Sequence, residues 1–301
     1  MITCLDIGGS GIKGALARSA SDLTPLARVR TPLDHLDAFV AAIEEVLAFS
    51  PAPKDATVAI ATTGVVDPTT GIIKVANIPC IDGLPIANVL SQRLGRPVVV
   101  GNDADCFALA EAVVGTGKSH RIVFGAILGT GVGGGLVIDG KLVTGPGGYA
   151  GEWGHAPVAA TSVGEPPVEL PRFACGCGQH GCVDTLGGAR GMERLHQHLG
   201  HGSANSHDII ERWQSGDAAA SRTIGCYMEI VAPPLALVVN VVGASIVPVG
   251  GGLGKSVALI DRLDREVRDR ILRKTDQPLV VSARSDIDSG LIGAAILGGL
   301  T

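Results

Sequence analysis

The sequence predicts an α/β protein of two domains around a cleft, and three observations carry that reading. Short apolar runs rich in β-branched residues alternate with stretches of helical periodicity along all 301 residues. The composition is 46% hydrophobic but only 3% aromatic, with 43 glycines, so Ala, Val, Leu and Ile must fill the core between many tight turns. Two strand-glycine-strand segments, one at Asp6 and one at Gly129, read as a duplicated hairpin whose halves grip phosphates from the two sides of a cleft. At roughly 150 residues per domain the length fits two.

In chain order, residues 2–7 form an apolar strand that ends in Asp6-Ile7-Gly8-Gly9-Ser10-Gly11-Ile12-Lys13. Glycines at this turn let backbone N–H groups approach an anion, Ser10 adds a hydroxyl and Lys13 a positive charge. Asp6 suits Mg²⁺ or its waters. A plain glycine hairpin with a solvated Asp6 accounts for the same residues. Helical spacing covers 36–49, and a strand at 57–61 leads to Gly64. After a short strand at 71–75, Asn77 stands at a loop tip, where it meets a polyol or closes an Asx-turn before Pro79. The run 97–100 reads as a buried strand and 104–114 as a helix, so Asn102 and Asp103 occupy a strand-to-helix turn. Open α/β sheets bind ligands at that edge, although an N-cap explains either residue as well. A strand at 123–128 then enters the second glycine run, Gly129-Thr130-Gly131-Val132-Gly133-Gly134-Gly135, which matches neither the Rossmann nor the Walker pattern.

Residues 145–185 are irregular. They contain Glu152-Trp153-Gly154-His155 and then Cys175, Cys177 and Cys182, a Cys-x-Cys-x4-Cys spacing. Three thiolates and one imidazole make a closed tetrahedral set for Zn²⁺, with His155 or the nearer His180 as the fourth ligand; buried free thiols or a redox pair are the alternatives. Helical patterns follow at 191–199, 207–215, 218–242, 257–272 and 290–297, with strands at 246–249 and 279–282. Gly250-Gly251-Gly252 is expected as a third backbone-only loop, lying against the ribose and base of a nucleotide.

The net charge of -5 argues against nucleic acid or an anionic membrane as partner. The first residues carry no signal-peptide pattern, and Pro233, Pro234 and Asn240 interrupt the longest apolar run, so a cytoplasmic protein without a spanning helix is expected. Seven cysteines in a reducing compartment are unlikely to pair.

With these segments in this order, the chain resembles the ROK family of bacterial sugar kinases and repressors, within the actin and hexokinase-like superfamily. The carrying strings are Asp6-Ile-Gly-Gly-Ser, Gly101-Asn-Asp-Ala-Asp, Leu128-Gly-Thr-Gly-Val-Gly-Gly-Gly, Glu152-x-x-His155, Cys175-Gly-Cys-Gly-x-x-Gly-Cys182 and Gly250-Gly-Gly. The resemblance implies a two-domain actin/hexokinase-like (ribonuclease H-like) α/β fold. Residues 1–117 would form a small domain closed by a C-terminal helix at about 287–301, and 118–286 a larger domain with the zinc motif. It implies ATP with Mg²⁺ as donor, one structural Zn²⁺ per chain, and transfer to a sugar hydroxyl, O6, with Asp103 as general base.

By the same resemblance Gly64, Asn77, Asn102, Asp103, Glu152, His155 and Asp184 hold the sugar. Asp6, Gly8, Gly9, Ser10, Lys13, Gly129, Thr130, Gly131, Gly250, Gly251 and Gly252 hold the nucleotide, and His155, Cys175, Cys177 and Cys182 the zinc. Bacterial N-acetylglucosamine kinases are the most similar branch, which makes N-acetylglucosamine the leading substrate, but Asp184 stands where that branch carries Glu. A glucokinase or fructokinase using ATP or polyphosphate is the alternative. The family's repressors carry a DNA-binding domain ahead of the kinase-like core, whereas the first strand here starts at Ile2. A homodimer is expected by family analogy.

Overall fold

The computed structural model describes residues 1–284 and 288–301. The chain divides into two compact units, one of Met1–Ser119, Gly135–Ala150 and the described C-terminal residues, the other of His120–Gly134 and Gly151–Arg284. The junction expected at 286–287 lies outside the described residues.

The first unit is organised on a five-stranded sheet. Strands β1 (Ile2–Gly8), β2 (Gly11–Ser19) and β3 (Asp22–Val29) form an antiparallel meander, and β4 (Val58–Thr62) and β7 (Val98–Asn102) extend it in parallel beyond β1, giving the order β3-β2-β1-β4-β7. Between β4 and β7 lie a two-stranded ribbon of β5 (Val65–Val66) and β6 (Ile73–Lys74) and helix α2 (Ile86–Leu94).

Side-chain alternation sorts β1 and β4 between two cores. Leu5, Ile7, Val58 and Ile60 pack with Phe39, Val40, Ile43 and Val46 of helix α1 (Leu36–Leu47). Cys4, Ala59 and Ala61 face the other way, toward Cys106 of helix α3 (Asp103–Val113) and Leu291, Ala294 and Ala295 of the C-terminal helix. Small residues on this second face bring backbones close. A Cβ on Gly293 would strike the backbone of Cys106, and one on Gly101 would strike Leu297.

The second sheet begins with β8 (Ile122–Leu128), which leads through Gly129-Thr130-Gly131 into β9 (Val132–Ile138); β10 (Lys141–Val143) pairs antiparallel with β9, and from Gly135 to Ala150 the chain belongs to the first unit. After a small ribbon of β11 (Ser162–Val163) and β12 (Val168–Glu169) come α4 (Asp184–Gly187), α5 (Ala189–His198), α6 (Ser206–Gln214) and α7 (Ala218–Val242). Strands β13 (Val247–Gly250) and β14 (Val280–Ser282) complete a sheet of order β10-β9-β8-β13-β14; between them lie α8 (Gly251–Gly254) and α9 (Val257–Arg270), and α10 (Ser289–Leu297) is the C-terminal helix. Both sheets therefore share one plan, a meander of three strands with the next two added in parallel beside its first.

Two expectations change. The prolines of the apolar run do not interrupt it: α7 continues through Pro233 and Pro234, with Ile230, Val231, Ala232, Leu235 and Ala236 all buried, so packing outweighs the lost N–H donors. This helix is long and apolar enough to cross a membrane, but 56% of its most apolar window is buried inside the protein, as in a core helix. Nor is Gly250-Gly251-Gly252 a loop. Gly250 ends β13 and Gly251 and Gly252 open α8. Gly251 has φ +83 and lies against the backbone of Leu128 and Gly129, where a side chain has neither the conformation nor the space.

Candidate active site

In the first unit the candidate residues gather at the carboxyl ends of β1, β4 and β7. Asn102 is the N-cap of α3. Its Oδ1 accepts from the backbone N–H of Ala104 at 2.7 Å and of Asp105 at 3.2 Å, and its Nδ2 donates to the Gly64 carbonyl at 2.8 Å. Capping thus falls to Asn102, and Asp103, the first residue of the helix, is left exposed with its Oδ1 accepting from Ala104 N–H at 2.9 Å. Gly64 has φ +97, and any Cβ would strike Lys74 and Val75. Asn77 Oδ1 accepts from Thr63 Oγ1 at 3.1 Å, and the Asn77 side chain lies against Gly9. The structure thus pairs Asn102 with Gly64 by a hydrogen bond and sets Asn77 against Gly9.

Asp6 and Lys13 face each other across β1 and β2, in register, with Nζ 3.3 Å from Asp6 Oδ2. Lys13 Nζ is also 3.5 Å from Asp288, the N-cap of α10, a residue the sequence reading missed because a lone Asp before a small-residue helix carries no motif. Burial pushes the Asp6 carboxyl up, with Lys13 pulling it back down and Asp288 adding to the rise. Gly8 is anchored by its carbonyl, which accepts from Thr31 Oγ1 at 2.6 Å.

In the second unit Trp153 places Glu152 and His155. Its indole Nε1 donates to the Gly133 carbonyl at 2.7 Å and its ring meets Phe124 edge-on at 6.4 Å, which pins the short 3₁₀ turn Trp153–His155 against β8 and β9. Glu152 Oε2 lies 3.6 Å from His155 Nε2, and burial raises the Glu152 carboxyl while His155 opposes that rise.

His155 Nδ1 points the other way, 3.6 Å from Cys175 Sγ, while Cys177 and Cys182 have sulfurs 3.7 Å apart; the four donor atoms all lie within 4.8 Å of one another. His180, the alternative ligand, is outside this group. Around a tetrahedral Zn²⁺ with bonds of about 2.3 Å to sulfur and about 2.05 Å to nitrogen, the S–S edge is about 3.75 Å and the S–N edge about 3.6 Å. The donor set and its spacing fit that ion. Burial pushes the thiol of Cys175 up and that of Cys182 up to about 12, whereas a backbone N–H of Gln179 holds the exposed Cys177 down. A divalent cation bound there draws the protons off all three.

Beside the cluster, Gly129-Thr130-Gly131 is tightly held. Ala189 N–H donates to the Gly129 carbonyl at 2.8 Å, Val132 N–H donates to Asp184 Oδ1 at 2.7 Å, and Gly188 and Gly251 lie against the loop backbone. Asp184 is therefore engaged on the glycine loop, a contact no spacing in the sequence announces.

Two hairpin-bearing sheets on one plan, each flanked by helices, are the architecture of the hexokinase-like α/β proteins. The sequence profile of the ROK family matches residues 2–299, and the chain belongs to that family. It is 36% identical to an N-acetylgalactosamine kinase of Shewanella sp. (strain ANA-3), over 98% of this chain and 95% of the relative. It is 35% identical to an N-acetyl-D-glucosamine kinase of Escherichia coli O1:K1 / APEC, over 97% of each. Among solved structures, a ROK family glucokinase from Streptomyces griseus in complex with glucose and AMPPNP superposes with a TM-score of 0.76 at 27% identity, covering 98% of both chains.

Proposed function

We propose that this protein is a sugar kinase that transfers the γ-phosphoryl group of ATP to the O6 hydroxyl of an N-acetylhexosamine, with N-acetylglucosamine as the leading substrate. The observation that carries the reading is Asp103: Asn102 takes over the cap of α3, so the neighbouring carboxylate stands exposed at the strand end where a substrate hydroxyl would meet it. Near-equal identity to an N-acetylgalactosamine and an N-acetylglucosamine kinase supports an acetamido sugar and leaves the configuration at C4 open between them.

In this mechanism Asp103 accepts the proton of O6 as that oxygen attacks the γ-phosphorus. The loose transition state demands positioning more than basicity. Asn77, the backbone at Gly64 and Nδ2 of Asn102, together with Glu152 and His155, are the groups assigned to orient the sugar. Backbone N–H groups of Gly8, Gly9 and Ser10 and of Thr130 and Gly131 receive phosphate oxygens, the N–H of Gly129 being held by the Gly131 carbonyl, and Gly250, Gly251 and Gly252 are assigned to the nucleoside. Asp6 is the oxygen donor for Mg²⁺, which neutralises charge on the phosphates when bound. Lys13 sets the charge of Asp6 more than it reaches phosphate, because two carboxylates already share its ammonium.

His155, Cys175, Cys177 and Cys182 hold one structural Zn²⁺, leaving no open coordination position. Nδ1 of His155 serves the metal and Nε2 faces Glu152, so the ion fixes a ring that also borders the sugar. The two units act as domains of one cytoplasmic enzyme, a homodimer.

A coupled assay with ATP or polyphosphate against N-acetylglucosamine, N-acetylgalactosamine, N-acetylmannosamine, glucose, mannose and fructose tests the reading. The highest kcat/KM is expected for an N-acetylhexosamine with ATP, and Asp103→Asn is expected to lower kcat by at least about 10²-fold with the fold intact. Near-normal turnover by that variant removes the mechanism, and a glucose or polyphosphate preference removes the assigned substrates.

A further inference from the structure

Asp184 follows two residues after the last cysteine of the cluster and opens α4. Its two oxygens do different things. Oδ1 accepts from the backbone N–H of Val132 at 2.7 Å, the first residue of β9 beyond the glycine loop. Oδ2 lies 3.8 Å from Cys175 Sγ. The loop is shaped around this carboxylate, since a Cβ on Gly131 would collide with Oδ1. The segment that carries Asp184 is fixed at both ends: Val183 N–H donates to the Ala156 carbonyl at 2.8 Å, next to His155, and Thr185 Oγ1 donates to the Cys182 carbonyl at 2.7 Å.

We propose that Asp184 is a positioning residue, a strut that ties the Gly129–Gly131 loop to the His/Cys cluster and makes the order of that loop depend on the metal. With one oxygen on a loop N–H and its Cα two residues from Cys182, in a segment tied to Ala156 and to Cys182, the Asp184 carboxylate transmits the position of the cluster to the loop. A longer Glu side chain at the same Cα would carry its carboxylate past the Val132 N–H.

This inference rests on the reading of the loop as a phosphate site only for its kinetic arm, and its first readout is independent of activity. Amide hydrogen exchange at Val132 is to be compared in the zinc-loaded wild type, the chelated wild type, D184A and D184N. Loss of a hydrogen bond to a charged acceptor predicts exchange faster by about tenfold or more in D184A. D184N, whose carboxamide oxygen still accepts from Val132 N–H, is expected to stay within about threefold of wild type, and chelation to speed exchange as D184A does. In the kinetic arm D184A raises the KM for ATP by about tenfold and leaves the sugar KM within about twofold.

Unchanged Val132 protection in D184A or after chelation overturns the strut. So does a rise in the sugar KM that equals the rise for ATP and recurs in D184N, which would make Asp184 a sugar ligand acting by charge. Should D184A not fold, D184N decides: retained protection with a normal ATP KM supports the strut, and lost protection overturns it. If no sugar is phosphorylated at all, the exchange arm stands and only the function fails.

Discussion

The two glycine hairpins look alike as strings but are held in opposite ways. In the first, a Cβ on Gly8 would meet nothing within 4 Å, and at Gly9 it would only touch Asn77 at 3.4 Å. Its shape comes from the register of β1 on β2, one hydroxyl on the Gly8 carbonyl and the charge chain Asp6, Lys13, Asp288. The second is enclosed. Cβ atoms on Gly131, Gly134 or Gly188 would strike Asp184, Trp153 and the Thr130–Gly131 backbone respectively. Gly8 and Gly9 leave room for what approaches from outside, whereas Gly131 and Gly134 make room for what already presses from within.

The comparison can be broken most directly at Gly134. Gly134→Ala drives a methyl group into Trp153 and the carbonyls of Gly125 and Gly151, and is expected to destabilise the protein by about 1–3 kcal/mol in denaturant unfolding. A loss below half a kcal/mol would mean the second hairpin is no more enclosed than the first. Gly8→Ala sharpens the other side. Its cost in the same unfolding experiment is expected within about 0.5 kcal/mol, while KM for ATP rises by about tenfold because a methyl occupies the face open to phosphate. Equal ATP KM values for Gly8→Ala and wild type would leave the first loop without its assigned role.

The smallest effect concerns the packing behind the second loop. His196 is fully buried on α5, with Nδ1 2.8 Å from Thr223 Oγ1, and burial, with His201 and Arg212 adding to it, lowers its pKa. Its ordinary value is about 6.5, so below that pH the unfolded chain takes up a proton that the folded one resists. This contribution to stability is complete above about pH 6.5 and is lost as the pH falls from there through the folded-state value. His196→Gln is expected to flatten the decline measured between pH 7 and 5, and parallel profiles for the two proteins would exclude His196 as its source.

Much of this was legible in the residues alone, for reasons that differ by site. Cys175, Cys177, Cys182 and His155 come together as their spacing suggested, because a set of metal-ligand residue types so close in sequence has little choice of geometry. The first hairpin was readable from an apolar run that ends at Ile7 and resumes at Ile12, residues the register pairs, with Gly8 opposite Gly11 about the turn Gly9-Ser10. The strand-to-helix turn at Asn102 and Asp103 was placed by periodicity, but which of the two caps α3 depends on a rotamer and on the Gly64 carbonyl, which lies 38 residues away. Gly250–Gly252 read as loop because a glycine run has no periodicity; the helical turn there exists because Gly251 is pressed on Leu128 and Gly129. Pro233 and Pro234 misled for the converse reason, since their local cost is overridden by burial on either side. Asp288 and the Asp184 to Val132 bond are tertiary pairings between segments far apart in the chain, and no single segment announces them.

Trp153 joins the indole to the Gly133 carbonyl, next to the second glycine loop and two residues from the metal-facing histidine. The chain has one other tryptophan, Trp213 on α6. With Trp213→Phe the protein carries a single tryptophan, which can be excited selectively over tyrosine, at the junction of loop, strand and His/Cys cluster. Its emission then serves as an unlabelled optical gauge of loop order, able to follow metal loading and nucleotide binding in real time.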